Sequence, residues 1–231
     1  MSKLKHLNDT IKELGLSPQA VVNLWLENKQ LDVEFLHRIM EIAGYPPQPL
    51  PTRNLKVGDY AFRGGLFSPH PETYPFCIGV IGWLNPDKNA PKGKRGLIVW
   101  PEQIVSPWMQ TQTPCSTGVS NQSDGCANTK ELVKMQQRIR TRILGVDYCL
   151  ENTPNQPFDL YWPAVDELKK IVENCEIIRP ALEKIEGEFI GFLFSSTEAD
   201  AEHAYTVYSR NGRVEKEHKA FDNRISFVIA F

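Results

Sequence analysis

Ser195-Ser196-Thr197, Glu198, Asp200, Glu202 and His203 fall within one nine-residue span of the chain. Three chemistries are open to such a set. A serine nucleophile needs a base beside it, and His203 is the one candidate in the same loop. No G-x-S-x-G elbow surrounds either serine. Hydroxyl side chains that bond to nearby backbone and fix a turn are the better reading. Calcium is the second chemistry, because Glu198, Asp200 and Glu202 offer oxygen ligands. Their spacing matches no EF-hand loop, and the tripeptides Glu-Pro-Asn, Gln-Pro-Asp and Trp-Asn-Asp are absent. A solvated acidic loop is the simpler expectation. The third chemistry is recognition, through a loop and hairpin that present mixed charges and aromatic rings.

The residues that follow support this third reading. Tyr205, Val207 and Ser209 alternate with Thr206, Tyr208 and Arg210, the period of a strand. Asn211-Gly212 is the strongest short signal for a hairpin, because both central positions must tolerate positive φ. The return arm, 214–219, is highly charged. The basic residues Arg210, Arg213, Lys216, His218 and Lys219 are interleaved with Glu215 and Glu217, so a solvated hairpin is a better reading than RNA binding. Aromatic side chains with arginine are also the composition of a protein-binding surface. The expected ligand-binding residues are therefore Glu198, Asp200, Glu202, His203, Thr206, Tyr208, Arg210, Arg213 and Glu215. No catalytic residue, metal site or cofactor is expected.

The elements that must position this hairpin are legible upstream. Residues 225–231 alternate Ile225, Phe227, Ile229 and Phe231 with Ser226, Val228 and Ala230, so both faces are largely apolar and the strand should be central in a sheet. Cys77–Leu84 and 97–100 are apolar runs of strand length, joined by a polar loop. Helical spacing covers 128–144 (Leu132, Met135, Ile139, Ile143) and 166–186, with Pro180 as a point of interruption. Residues 106–126 and 151–158 read as loops.

The first 45 residues look separate. Leu4, Leu7, Ile11 and Leu14 begin a helical run, Ser17-Pro18 opens a second, and Asp32 caps a third. This unit carries five Lys and Arg against six Asp and Glu, too few cations for a DNA reader, and homo-oligomerisation is the expected role. Four prolines at 46, 47, 49 and 51 make 46–54 an extended spacer. The division is a helical unit at 1–45, a linker at 46–54 and a main domain at 55–231.

The net charge of -2 gives no electrostatic footprint for nucleic acid. No run reaches the roughly 18 apolar residues of a membrane span, and the first residues lack an apolar leader. A cytoplasmic or phage-particle location is the expectation. The five cysteines are odd in number and contain no C-x-x-C pair, so reduced thiols are expected.

Several segments in order resemble one family. Trp162, Pro163, Glu167 and Leu168 match its "W-x-L-P-[ST]-x-x-E-L" helix start. Ser195, Ser196, Thr197, Glu198, Ala204, Val207 and Gly212 match its "Y-W-S-S-T-E … A-W-x-V-x-F-x-x-G" segment, and 223–231 is similar to its closing "R-V-R-x-V-R-x-F". The stretches VGDYAF, GVIGWLNPDKNAPKGKRGLIV and CANTKEL also look like its N-terminal half. This is the Fibrobacter-type major paralogous domain, related to the Legionella collagen-like protein C-terminal domain, and the resemblance covers 55–231. It implies an α+β fold of the C-type-lectin-like kind: a small twisted antiparallel sheet, two helices and long loops. It also implies binding of an unknown protein or glycan, as in the variable proteins of diversity-generating retroelements or phage receptor-binding tips. The chain departs from the pattern at Leu193-Phe194, Ser226 and Ile229. Formylglycine-generating enzymes share the broader fold, but their paired late cysteines have no counterpart after Cys175. A structural assembly protein is the remaining alternative.

Overall fold

A computed structural model describes residues 54–62, 65–73, 77–111, 113–153 and 160–231. The helical unit expected over 1–45 and all of the proline-rich spacer except Asn54 lie outside the described residues. The strands are β1 (Tyr60–Phe62), β2 (Leu66–Ser68), β3 (Cys77–Leu84), β4 (Gly96–Pro107), β5 (Leu160–Tyr161), β6 (Phe192–Glu198), β7 (His203–Tyr208), β8 (Val214–His218) and β9 (Asp222–Ala230). The helices are α1 (Gly125–Ile139), α2 (Leu144–Asn152), α3 (Val165–Val172) and α4 (Cys175–Glu183).

All nine strands join one open sheet in the order β2-β1-β3-β4-β9-β6-β7-β8, with β5 also paired to β9. The ladders are antiparallel except where β6 meets β9, which run parallel at Leu193 and Arg224. Among the described residues, this mixed nine-stranded sheet with four helices corrects the expectation of a small antiparallel C-type-lectin-like sheet with two helices. Three local causes account for the difference. β4 does not stop at Trp100 but passes through an irregularity and pairs with β9 as far as Pro107. The helical pattern of 166–186 is two helices: α3 is capped at Glu173, and Asn174, the N-cap of α4, ties the junction to the sheet through Nδ2 to Gly82 O at 3.2 Å. Residues 144–152 form a helix of their own.

Alternation along the strands divides the core in two. Val80, Leu97, Val99, Leu193, Val207 and Val228 face one side and pack with Leu168, Ile171, Ile178 and Leu182 of α3 and α4. Ile81, Ile98, Phe194, Ile225, Phe227 and Ile229 face the other, with Leu132, Val146 and Cys149 of α1 and α2. β9, inserted between β4 and β6, supplies both layers. Such two-sided burial requires a strand apolar on alternate and intervening positions alike.

One carboxylate joins the helices across this frame. Glu167 Oε2 accepts from Gly125 N at 2.9 Å and Ala164 N at 2.8 Å, and Oε1 accepts from Tyr161 Oη at 2.8 Å. It therefore satisfies backbone donors at the N-termini of both α1 and α3, where such donors lack intrahelical partners. Gly125 fits this junction because it has no side chain: a Cβ there would lie 2.5 Å from Ala164 N and Trp162 O.

Candidate functional site: the hairpin and its buried clamp

β8 is an outer edge of the sheet and pairs with β7, whose Ala204 and Val207 belong to the two core layers. The connection runs over five residues, 209–213, rather than a two-residue Asn-Gly turn, and Gly212 alone takes the positive φ there. Gly212 adopts φ +71, Asn211 Oδ1 accepts from Arg213 N at 3.0 Å, and Tyr208 N donates to Arg213 O at 2.9 Å.

Beneath the hairpin lies a cation with no exposure. Lys219 is 0 % accessible, and its Nζ donates to Glu198 Oε2, Cys115 O and Ala201 O, each at 3.0 Å. The three donors of an ammonium are thus matched by three acceptors from separate parts of the chain. The same Nζ sits 5.1 Å from the centre of the Trp108 ring. Glu198 is equally committed. Oε1 accepts from Ser116 Oγ at 2.6 Å, and Oε2 accepts from Thr117 N at 2.6 Å and Thr117 Oγ1 at 2.5 Å. Burial pushes its carboxyl up, but the hydrogen bonds from Ser116, Thr117 and Lys219 outweigh burial and hold it below the ordinary carboxylate range.

The hydroxyl triplet before Glu198 is also structural. Ser195 Oγ donates to Tyr205 O at 2.9 Å, Ser196 Oγ accepts from Asn128 Nδ2 at 3.2 Å, and Thr197 Oγ1 donates to Asn121 O at 2.9 Å. Each fixes β6 to a neighbouring segment. His203 turns to Asp200 instead, with Nδ1 2.7 Å from Oδ1. Among the described residues, no group of three or more His, Cys, Asp or Glu side chains could hold a metal ion.

The structure sorts the nine expected binding residues into two sets. Glu198 and Thr206 are buried. Thr206 is 1 % exposed, and its Oγ1 has no hydrogen-bond partner among the described residues. Their assignment to the outward face is corrected: Glu198 serves the buried clamp, and Thr206 lies opposite the core residue Phe194 in the ladder. Asp200, Glu202, Arg210 and Arg213 are exposed, and His203, Tyr208 and Glu215 are half-buried. Asp200 organises its loop by accepting from Glu202 N and His203 N, with Lys216 Nζ 3.4 Å from Oδ2. The His203 ring, with these donors, holds Asp200 well below its usual range.

Two rings that the sequence reading did not select belong to this surface. Phe192 stacks on Tyr208 with ring centres 4.6 Å apart, and Arg213 lies 5.8 Å over the Phe192 ring while pairing with Glu215 at 3.1 Å. Phe221 is 60 % exposed and packs at 5.0 Å against His218, whose ring meets that of His203. A phenylalanine in the polar turn 219–223 was the available signal for Phe221. Phe192 opens an apolar strand and reads as core.

No family model matches the chain, and no curated protein matches it. Its fold is similar to that of a fimbrial protein from Bacteroides ovatus ATCC 8483, with a TM-score of 0.63 and 19% identity. The likeness is one of fold. It covers 77% of this chain and 49% of the fimbrial protein, so this chain matches about half of that protein's length. No helix among the described residues is long and apolar enough to cross a membrane.

Proposed function

We propose that this chain is a non-enzymatic recognition module that binds a protein partner through the β7–β8 hairpin, the loop at 199–202 and the turn at 219–221. One observation carries this reading: the buried Lys219–Glu198 clamp fixes both ends of the hairpin from below, so the outward side chains are free of any role in the core. A rigid base with side chains that need not pack is the arrangement that lowers the ordering cost of binding. The exposed Phe221, the Phe192–Tyr208–Arg213 stack and the charges of Asp200, Lys216 and Glu215 give it aromatic anchors with a polar surround. A fold shared with a fimbrial protein supports a contact-making role over turnover.

The narrower reading, a retroelement-diversified variable protein or a phage receptor-binding protein, rests on the motif order alone. A reverse transcriptase beside a near-copy of the gene's 3′ end supports the first, and neighbouring tail genes support the second.

The binding reading is tested by placing a photo-crosslinking residue at 208, 213, 216 or 221 in the full chain. Positions 134 and 138 on α1 serve as controls. The expected result is one partner crosslinked from the hairpin positions only, with binding lost in Arg213→Ala and Phe221→Ala. Partner binding unchanged in both variants, with their folds intact, would overturn it.

A further inference from the structure

A second surface, lined by residues outside the hairpin, has the lining of a small-molecule site. Two adjoining cavities of about 320 and 540 Å³ share Gly93, Asp124, Cys126, Tyr161 and Ala230. They open where the β3–β4 loop faces the start of α1 and the side of α3. None of the hairpin residues lines either cavity. Their size lies at the lower end of the range of ligand clefts, roughly 300–1,000 Å³.

The charges of this cleft are unequal in kind. Its lining includes Lys92, Lys94, Lys130 and Lys170 against the carboxylates of Asp124 and Glu167. Both carboxylates are occupied by the fold. Asp124 accepts from Ala127 N at 2.8 Å as the cap of α1, and Glu167 accepts from Gly125 N, Ala164 N and Tyr161 Oη. Both acids are thus committed to groups of the fold, and the lysines outnumber them in the lining. Lys170 holds its ammonium 4.7 Å over the Trp83 ring, which places a charge beside a flat apolar wall. The loop carrying Lys92 and Lys94 is itself held. Asn85 Nδ2 donates to Lys94 O at 2.8 Å, Asn85 N donates to Arg95 O at 2.8 Å, and Lys94 N donates to Pro91 O at 2.9 Å.

We propose that this cleft binds a small organic anion: a carboxylate or phosphate group carried on a body of about monosaccharide size. Lys94 and Lys170 receive the anionic group, and the rings of Trp83 and Tyr161 border its apolar or ring portion. The proposal is independent of the hairpin reading, since the two surfaces share no residue.

The test is calorimetric titration of the full chain with four probes: glucuronate, glucose 6-phosphate, glucose and inorganic phosphate. Binding is expected for glucuronate or glucose 6-phosphate but not for glucose, and which of the two binds separates a carboxylate from a phosphate ligand. Lys94→Gln combined with Lys170→Gln is expected to weaken that binding by at least about tenfold, the effect of losing charge-assisted hydrogen bonds. Arg213→Ala is expected to leave it unchanged. Lys94→Gln alone, on an exposed loop, keeps the test valid if the double variant fails to fold. Absence of binding by both organic anions would overturn the proposal. So would unchanged binding in the lysine variants, or inorganic phosphate binding as tightly as the organic probes.

Discussion

Lys219 Nζ lies 3.0 Å from Glu198 Oε2, with both side chains withdrawn from solvent at the base of the hairpin. An ion pair of this kind is not a strong net source of stability, because both ions have lost their water. Removing one partner is another matter, since it leaves a buried charge without compensation. Lys219→Met is expected to destabilise the fold by about 3–5 kcal/mol. The double variant Lys219→Met, Glu198→Gln should regain part of that loss. Urea denaturation of the single and double variants measures both, and equal stability of Lys219→Met and the parent chain would remove the clamp from the account.

Acid should loosen the same region. The Glu198 carboxyl is held below its unfolded value, so the folded state binds that proton less readily than the unfolded chain. Its contribution is therefore present above the ordinary carboxylate pKa of about 4.3 and is lost as pH falls through the folded value. Asp200, also depressed, acts in the same direction. Glu167 acts oppositely, because burial raises it and the folded state favours its protonated form. Melting temperatures between about pH 6 and pH 3 should fall in the parent chain. The fall should be shallower in Glu198→Gln, and an identical slope in both would contradict the assignment.

Thr206 offers a gain in stability. Its hydroxyl is buried and unpartnered among the described residues, and such a group costs about 1–3 kcal/mol. Thr206→Val keeps the shape of the side chain and its preference for a strand. Stabilisation of about 1 kcal/mol is expected in urea titration. Partner binding at the hairpin should be unaffected, because the side chain does not reach the surface.

Gly125→Ala is expected to cost about 1–3 kcal/mol, the usual effect of forcing atoms into a packed site. The added Cβ would meet the backbone of Trp162 and Ala164, neither of which can move as a flexible side chain does. The Glu167 bridge between the two helix starts should loosen with it. Faster amide exchange at positions 125 and 164 in the variant would report that loss, and unchanged exchange there would show that the junction tolerates the methyl group.

The parts of this structure legible in the sequence were those written in local patterns. Asn211-Gly212 marks the turn, and the two-sided apolar alternation of 225–231 marks a strand buried on both faces. What escaped depends on distant partners. Nothing in the charged arm around Lys219 signals burial, because its acceptors come from residues 115, 198 and 201. The second half of β4 reads as loop because Pro101, Glu102 and Gln103 interrupt its apolar run, yet Ser106 and Pro107 still find β9 partners. α2 is nine residues long and buries only Gly145, Val146 and Cys149, too short a pattern to stand out beside α1. Trp108 and Met109 sit in a polar stretch but are fully buried, Trp108 Nε1 donating to Ser195 O at 2.8 Å.

The edge strand β8 has a consequence for neighbouring molecules. Its sequence from Val214 to His218 alternates Glu215, Lys216 and Glu217. Two copies meeting symmetrically along this edge, antiparallel about Lys216, would set lysine against lysine and Glu215 against Glu217. Like charges directly opposite on paired strands repel. The charges of this edge therefore disfavour that symmetric register of self-pairing while leaving the strand's margin open to a different protein.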